Sequence, residues 1–175
     1  MGDVSPAPRF LELPARTTKP RAAGITHVLD RGISPSSVTD LVSRIGGSID
    51  IWKLGWGTAY LDRGLAEKVG VLSGNAIASC VGGTLLEIAW GQGRTDACLD
   101  WAADARFSCV EVSNGAGLMP ASDKRRLIEI AAERFVVLAE VGSKDPDAVV
   151  SPIAWAEEVA EDIGSGASWV LTEGR

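Results

Sequence analysis

Short apolar runs, each ending on a charged residue, alternate along this chain with stretches that repeat apolar positions at helical spacing. Val28-Leu29 leads into Asp30, Ile51-Trp52 into Lys53, and Cys109-Val110 into Glu111. Residues 135–139 lead into Glu140, and 169–172 into Glu173. The runs predict strands over residues 25–30, 48–54, 76–81, 108–113, 136–141 and 167–173. Nearly continuous apolar runs of this length belong to strands buried on both faces, as in a parallel sheet. A charge at the end of a buried strand is costly to desolvate unless it is paired, metal-bound or facing a polar cavity. In a parallel βα array all strand C-termini open onto one face, so five such charges predict one shared site.

The intervening segments carry helix signals. Ser36 or Ser37 is placed to cap a helix with Val38, Leu41, Val42 and Ile45 on one face, stopped by Gly46-Gly47. Residues 61–72 predict a weaker helix, interrupted by Gly64 and Gly70. Thr95 is placed to cap a helical repeat of Cys98, Trp101, Ala102 and Ala105, and Ser122 precedes Leu127, Ile128, Ala131 and Ala132. Ser151-Pro152 is a strong start, because proline at the first helical position gives up no hydrogen bond; that helix runs to Ile163 and Gly164. Residues 1–20, with Pro6, Pro8, Pro14 and Pro20, read as an extended arm, and residues 21–175 as a single domain. Six βα units predict a parallel sheet with right-handed crossovers, either an open doubly wound sheet or a (β/α)8 barrel. No G-x-G-x-x-G follows the first strand and no Walker lysine motif is present, which argues against a dinucleotide or P-loop site.

The chain has 175 residues, 46% of them hydrophobic, enough for one core. A formal charge of -6 argues against nucleic acid as the main partner, while leaving room for a local cationic pocket. Cys80, Cys98 and Cys109 have no C-x-x-C spacing and read as buried thiols of a reducing cytoplasm. No apolar run is long enough to span a membrane, and the N-terminus has no signal-peptide core, so a cytoplasmic location is expected.

The string Lys53-Leu54-Gly55-Trp56-Gly57-Thr58 puts a lysine at the end of an apolar strand, as a proton donor or an anion-holding cation. Its plainer reading is a tight turn with a snorkelling lysine. Gly82-Gly83, before Thr84-Leu85-Leu86-Glu87, is either an anion site at a helix N-terminus or a simple turn. Glu111-Val112-Ser113-Asn114-Gly115 and Glu140-Val141-Gly142-Ser143-Lys144-Asp145 each follow a strand with an acid and a small-residue loop. His27, the one histidine, falls inside the first strand and reads as a packing residue rather than a base. The lack of a second histidine and of a G-x-S-x-G elbow argues against triad hydrolysis. Carboxylates, a lysine and arginines suit a hard cation such as Mg²⁺ acting on an oxyanion.

These blocks, in this order, resemble the phosphosulfolactate synthase family. The resemblance runs from about Leu13 to the last residue. It takes in Leu13-Pro14, Lys19-Pro20-Arg21, the strand from Gly24-Ile25-Thr26 to Asp30-Arg31-Gly32, the lysine string, the two acid loops and Glu173-Gly174-Arg175. It implies a (β/α)8 barrel that adds sulfite to phosphoenolpyruvate with Mg²⁺, giving phosphosulfolactate on the route to coenzyme M. It further implies Lys53, Glu111 and Glu140 as catalytic residues, Lys53 being the acid or charge stabiliser. Glu87, Glu111 and Glu140 are the implied Mg²⁺ holders. Asp30, Gly82, Gly83, Lys144, Glu173 and Arg175 are expected at the anionic substrates. Ala59 and Asn114 depart from the family pattern, where serine and aspartate are common. Two further strands follow in the family, so the chain is expected to form an incomplete barrel of six βα units. It would then self-associate or take a C-terminal complement at its open edges, with Trp155 and Trp169 partly exposed. The alternatives are a non-catalytic, partner-binding or stress-associated relative, and another enolate-forming barrel enzyme.

Overall fold

A computed structural model describes residues 10–115, 117–142 and 151–172. Six strands lie parallel in chain order: β1 (His27–Asp30), β2 (Ile51–Leu54), β3 (Ala78–Val81), β4 (Cys109–Val112), β5 (Val136–Val141) and β6 (Trp169–Thr172). Helices cross between them: α1 (Pro35–Ile45), α2 (Thr58–Leu61), α3 (Leu65–Gly74), α4 (Gly83–Gly91), α5 (Thr95–Asp104), α6 (Ala121–Ala132) and α7 (Pro152–Gly164). This is the wall of a β/α barrel, six units long, and not a doubly wound sheet, whose strand order would reverse partway. Among the described residues β1 and β6 each have one strand neighbour. Trp155 and Trp169 are half-buried.

Side chains alternate across each strand and build two cores. Trp52, Leu54, Val81, Val110, Val112, Val137 and Ala139 face the helices and join Val38, Leu72, Leu99 and Ile128. Ile51, Cys80, Cys109 and Leu138 face the other way, into the barrel, with Ile25, Ala78, Trp169 and Leu171 packed on them. The strand parity sorts the strand-end charges Asp30, Lys53, Glu111 and Glu140 onto one face or the other.

Several element ends differ from the sequence expectation. The cap of α1 is Ser34, whose hydroxyl accepts from the Ser37 N–H at 3.2 Å, because Pro35 takes the first helical position. Thr95 is the first residue of α5 rather than its cap, and Pro120 rather than Ser122 precedes α6. Ser151 does cap α7, accepting from the Ala154 N–H at 3.1 Å. The helix expected over residues 61–72 is two, since Asp62 turns the chain and its carboxylate accepts the Gly64 N–H at 2.8 Å.

The described part of the arm runs beneath the N-terminal ends of the strands. Arg16 donates to the Thr26 hydroxyl at 2.6 Å and the Ser48 carbonyl at 2.8 Å. Lys19 donates to the Gly46 and Ala76 carbonyls at 2.9 and 3.1 Å, and Arg21 pairs with Asp50 at 2.7 Å. These bonds satisfy carbonyls that precede β2 and β3, leaving the opposite end of the sheet for chemistry.

Candidate active site

Lys53 is the third residue of β2, Glu111 the third of β4 and Glu140 the fifth of β5. Each shares the parity of the inner-core residues Ile51, Cys109 and Leu138, so all three side chains enter the barrel at its C-terminal mouth. The Lys53 ammonium stands 2.5 Å from Glu111 Oε2 and 3.8 Å from Glu140 Oε2. Glu111 uses its second oxygen, Oε1, to accept the Gly83 N–H at 3.0 Å. That N–H belongs to the first turn of α4, where unpaired donors and the helix dipole favour a negative charge. Glu111 is thereby fixed from two sides and holds Lys53 in turn. A Cβ on Gly83 would lie 2.1 Å from Ser113 Oγ and 3.1 Å from Glu111 Oε1, so the close approach of α4 to β4 requires glycine there.

The residues line a cavity of about 340 Å³ that also takes in His27, Leu29, Gly55, Trp56, Gly82, Thr84, Leu171 and Thr172. Trp56 sits at its rim, 64% exposed, with a left-handed backbone (φ 54°) and the Arg31 guanidinium 5.2 Å over its ring. His27 was expected as a packing residue; it lines the cavity instead, and its Nε2 is buried without a hydrogen-bond partner among the described residues. Burial, then the nearby Lys53 ammonium, lower its pKa, against a smaller opposing effect of Glu111. His27 shares the strand parity of Leu29, and the register of Leu29 with the inward-facing Lys53 puts both on the barrel side.

Asp30, expected beside the substrate, has the opposite parity and faces the helix layer. Its carboxylate accepts from Lys68 at 2.9 Å, from Trp52 Nε1 at 3.2 Å and from the N–H groups of Gly32 and Ile33. Glu87, expected at a metal, lies one turn along α4 and is not among the residues lining the cavity. It accepts from the Ser113 hydroxyl and, at 3.2 Å, from the Gly115 N–H, so it holds the loop after β4. Gly82 and Gly83 do line the cavity, while Lys144, Glu173 and Arg175 lie outside the described residues. Asn114 clips its loop by two bonds to the Met119 backbone, and Ala59 is buried in the helix-side core. Both departures from the family pattern therefore have local structural roles.

Among the described residues no three His, Cys, Asp or Glu side chains converge as a ready metal cage. Mg²⁺ rarely needs one: it takes hard oxygens, typically one or two carboxylates, and keeps water or substrate oxygens for the rest. Glu111 and Glu140, both facing one cavity, fit that donor set. All three cysteines are free thiols, their pKa values raised chiefly by burial, and are inert structural residues. No helix among the described residues is long and apolar enough to cross a membrane.

Known proteins match both the fold and the sequence. Pyruvate carboxylase of Rhizobium etli, in a T882A crystal structure without acetyl coenzyme-A, superposes with a TM-score of 0.58 at 16% identity. The overlap covers 84% of this chain and 16% of that one. The phosphosulfolactate synthase of Methanothermobacter thermautotrophicus is 40% identical over 167 residues, covering 93% of this chain and 65% of the relative. That of Bacillus subtilis is 35% identical over 167 residues, covering 94% and 66%. This chain thus spans about two thirds of the length of the curated relatives it matches. The sequence profile of the (2R)-phospho-3-sulfolactate synthase (ComA) family matches residues 14–175, with the Lys53, Glu111 and Glu140 blocks inside the match. The chain belongs to the (2R)-phospho-3-sulfolactate synthase (ComA) family.

Proposed function

We propose that this chain carries the family's reaction, the Mg²⁺-dependent addition of sulfite to phosphoenolpyruvate to give (2R)-phospho-3-sulfolactate. The observation that carries the reading is the Lys53 ammonium held between Glu111 and Glu140 at the C-terminal mouth of the parallel sheet. The sulfite lone pair forms a C–S bond to the methylene carbon. The C=C π electrons move onto C2 and are delocalised into the carboxylate, and a proton is then delivered to C2. Lys53 is the proton donor, or the fixed cation that stabilises the charge arriving at the carboxylate. Glu111, anchored by the Gly83 N–H, keeps the ammonium in place through both steps.

Charge supports the cation requirement. Two carboxylates and one ammonium line the described cavity, an unfavourable setting for two anionic substrates. Glu111 and Glu140 are the residues that would hold Mg²⁺, and the cation would supply positive charge for the anionic substrates. Lys144 and Arg175, following β5 and β6 in sequence, supply further cationic contacts to the anions in this reading. The β1 and β6 edges take further βα units or a second copy of the chain, since each has one strand neighbour among the described residues and Leu29 on β1 is 45% exposed.

Phosphorus NMR of the purified chain with both substrates and Mg²⁺ tests the reaction. The phosphoenolpyruvate resonance should fall only when sulfite and Mg²⁺ are both present, with a new phosphomonoester signal rising in proportion. A folded chain at high concentration that leaves phosphoenolpyruvate untouched refutes the catalytic reading for this chain.

A further inference from the structure

Gly83 and Glu87 lie one turn apart on the same face of α4, and both meet the end of β4. Gly83 is the first residue of the helix, so its N–H has no intrahelical acceptor; the bond it makes is the 3.0 Å one to Glu111 Oε1. Glu87 Oε1 accepts from the Ser113 hydroxyl and, at 3.2 Å, from the Gly115 N–H. Ser113 is 3% exposed and follows Glu111 by two residues, just past the end of β4. Its Oγ and Cβ are the atoms that a Cβ on Gly83 would strike, at 2.1 and 2.8 Å, so the α4 backbone rests directly on this serine. Every one of these contacts joins α4 to residues 111–115, and together they press the first turn of the helix onto the strand end. Without the Glu87 carboxylate the buried Ser113 hydroxyl loses this acceptor. That favours a lift of the turn to admit water, and the Gly83 bond lengthens with it.

We infer that Glu87 is a positioning residue: by holding Ser113 and Gly115 it seats the first turn of α4 on the end of β4, and so fixes the Gly83 bond that aims Glu111 at Lys53. The sequence resemblance expects this carboxylate at Mg²⁺. One of its oxygens is already taken by two donors of the loop after β4, whereas Glu111 and Glu140 face the cavity. The consequence for catalysis rests on the reading of Lys53 and Glu111 as groups of the sulfite and phosphoenolpyruvate reaction. Misplacing an aligned group by about 1 Å costs up to about 100-fold in rate, so the effect should fall on kcat.

Amide hydrogen exchange of the free chain, resolved by ¹⁵N NMR, reads the seat of α4 without any substrate. In Glu87→Ala the Gly83 amide should exchange at least about tenfold faster, while amides of β3 and α6 keep their wild-type rates. Glu87→Gln keeps an acceptor oxygen for both donors, and its Gly83 rate should stay within about threefold of the wild type. Ser113→Ala should quicken Gly83 in the same way, and the double variant Glu87→Ala with Ser113→Ala should add little to either. The same order should appear in kcat, with Glu87→Ala about 10- to 100-fold down and Glu87→Gln close to the wild type in both kcat and Mg²⁺ requirement.

An unmoved Gly83 amide in Glu87→Ala overturns the inference and leaves the reaction standing. So does a Glu87→Gln chain as impaired as Glu87→Ala, since that is the mark of a metal-binding carboxylate. Exchange that quickens alike at all amides makes Glu87 a general structural residue and also overturns the inference. A wild type without turnover refutes the reaction reading, while the exchange pattern still decides the seat of α4.

Discussion

Lys68 is a charge placed where water cannot reach it. Its side chain and that of Asp30 are both 0% exposed, 2.9 Å apart, and Asp62 closes a second pair with Lys68 at 2.6 Å. Burial acting alone would raise the Asp30 pKa. Hydrogen bonds from Lys68, Ile33, Gly32 and Trp52 outweigh it and hold the carboxyl below its ordinary value. Burial would lower that of Lys68, but its bonds to Asp62 and Asp30 raise it. Lys68→Met keeps the volume and removes the charge, stranding Asp30 in the helix-side core. Breaking a buried pair in this way costs about 3–5 kcal/mol, which for a domain of this size lowers the melting temperature by roughly 6–20 °C.

The pH dependence of that loss gives a sharper test. A carboxylate whose folded pKa is depressed contributes stability that is complete above its unfolded pKa, near about 3.9, and lost as pH falls through the folded pKa. Lys68→Met removes the largest of the bonds that hold this carboxyl down, so Asp30 takes up its proton at higher pH than in the wild type, and that protonation relieves the folded variant. The gap between wild type and variant should therefore be widest near neutrality and narrow as pH falls towards 4. Urea denaturation followed by tryptophan fluorescence measures it, with Trp52, bonded to Asp30, as a reporter at the site. A gap below about 1 kcal/mol at neutral pH, or one that does not narrow in acid, refutes the reasoning.

Lys124 bridges α6 to α7 through Asp162 and Glu158, both at 2.7 Å, and donates to the Glu140 carbonyl at 2.9 Å. Lys124→Met should destabilise the chain by about 3 kcal/mol or more and loosen Glu140, read as faster amide exchange along the end of β5. Gly83→Ala should displace Ser113 or Glu111 and cost about 1–3 kcal/mol, and adding Ser113→Gly should recover part of that loss in the same denaturation assay.

Strand existence was legible because parallel strands buried on both faces read as plain apolar runs, and all six are present. β5 begins where the sequence places it, at Val136, and the other five begin one to three residues later than expected. Ile49 and Ile77 are buried and apolar, but they pack among the helix-side residues ahead of the ladders rather than in them. The shared face of Lys53, Glu111 and Glu140 was legible from their common position at strand ends. Asp30 shows where that logic stops, since one step in a strand reverses the side chain, and alternation with His27 and Leu29 sends it outward. Lys68 and Lys124 were invisible as buried groups because each lies on a helix that reads as amphipathic, and their acidic partners come from elsewhere in the chain. Ser34, not Ser36 or Ser37, caps α1 because Pro35 is pre-set for the first helical position and fixes the cap one residue ahead of it.

In the proposed reaction the inner-face ammonium of Lys53 is the anion-holding group of this barrel rather than a structural charge. Calorimetric titration of phosphoenolpyruvate in Mg²⁺ buffer, into wild type and Lys53→Met, tests it most directly, with circular dichroism confirming each fold. The variant should fold and bind roughly 10- to 100-fold more weakly, the worth of one charge-assisted hydrogen bond. A folded Lys53→Met chain that binds phosphoenolpyruvate as tightly as the wild type, or an unfolded variant beside a wild type that binds no anion, would contradict it.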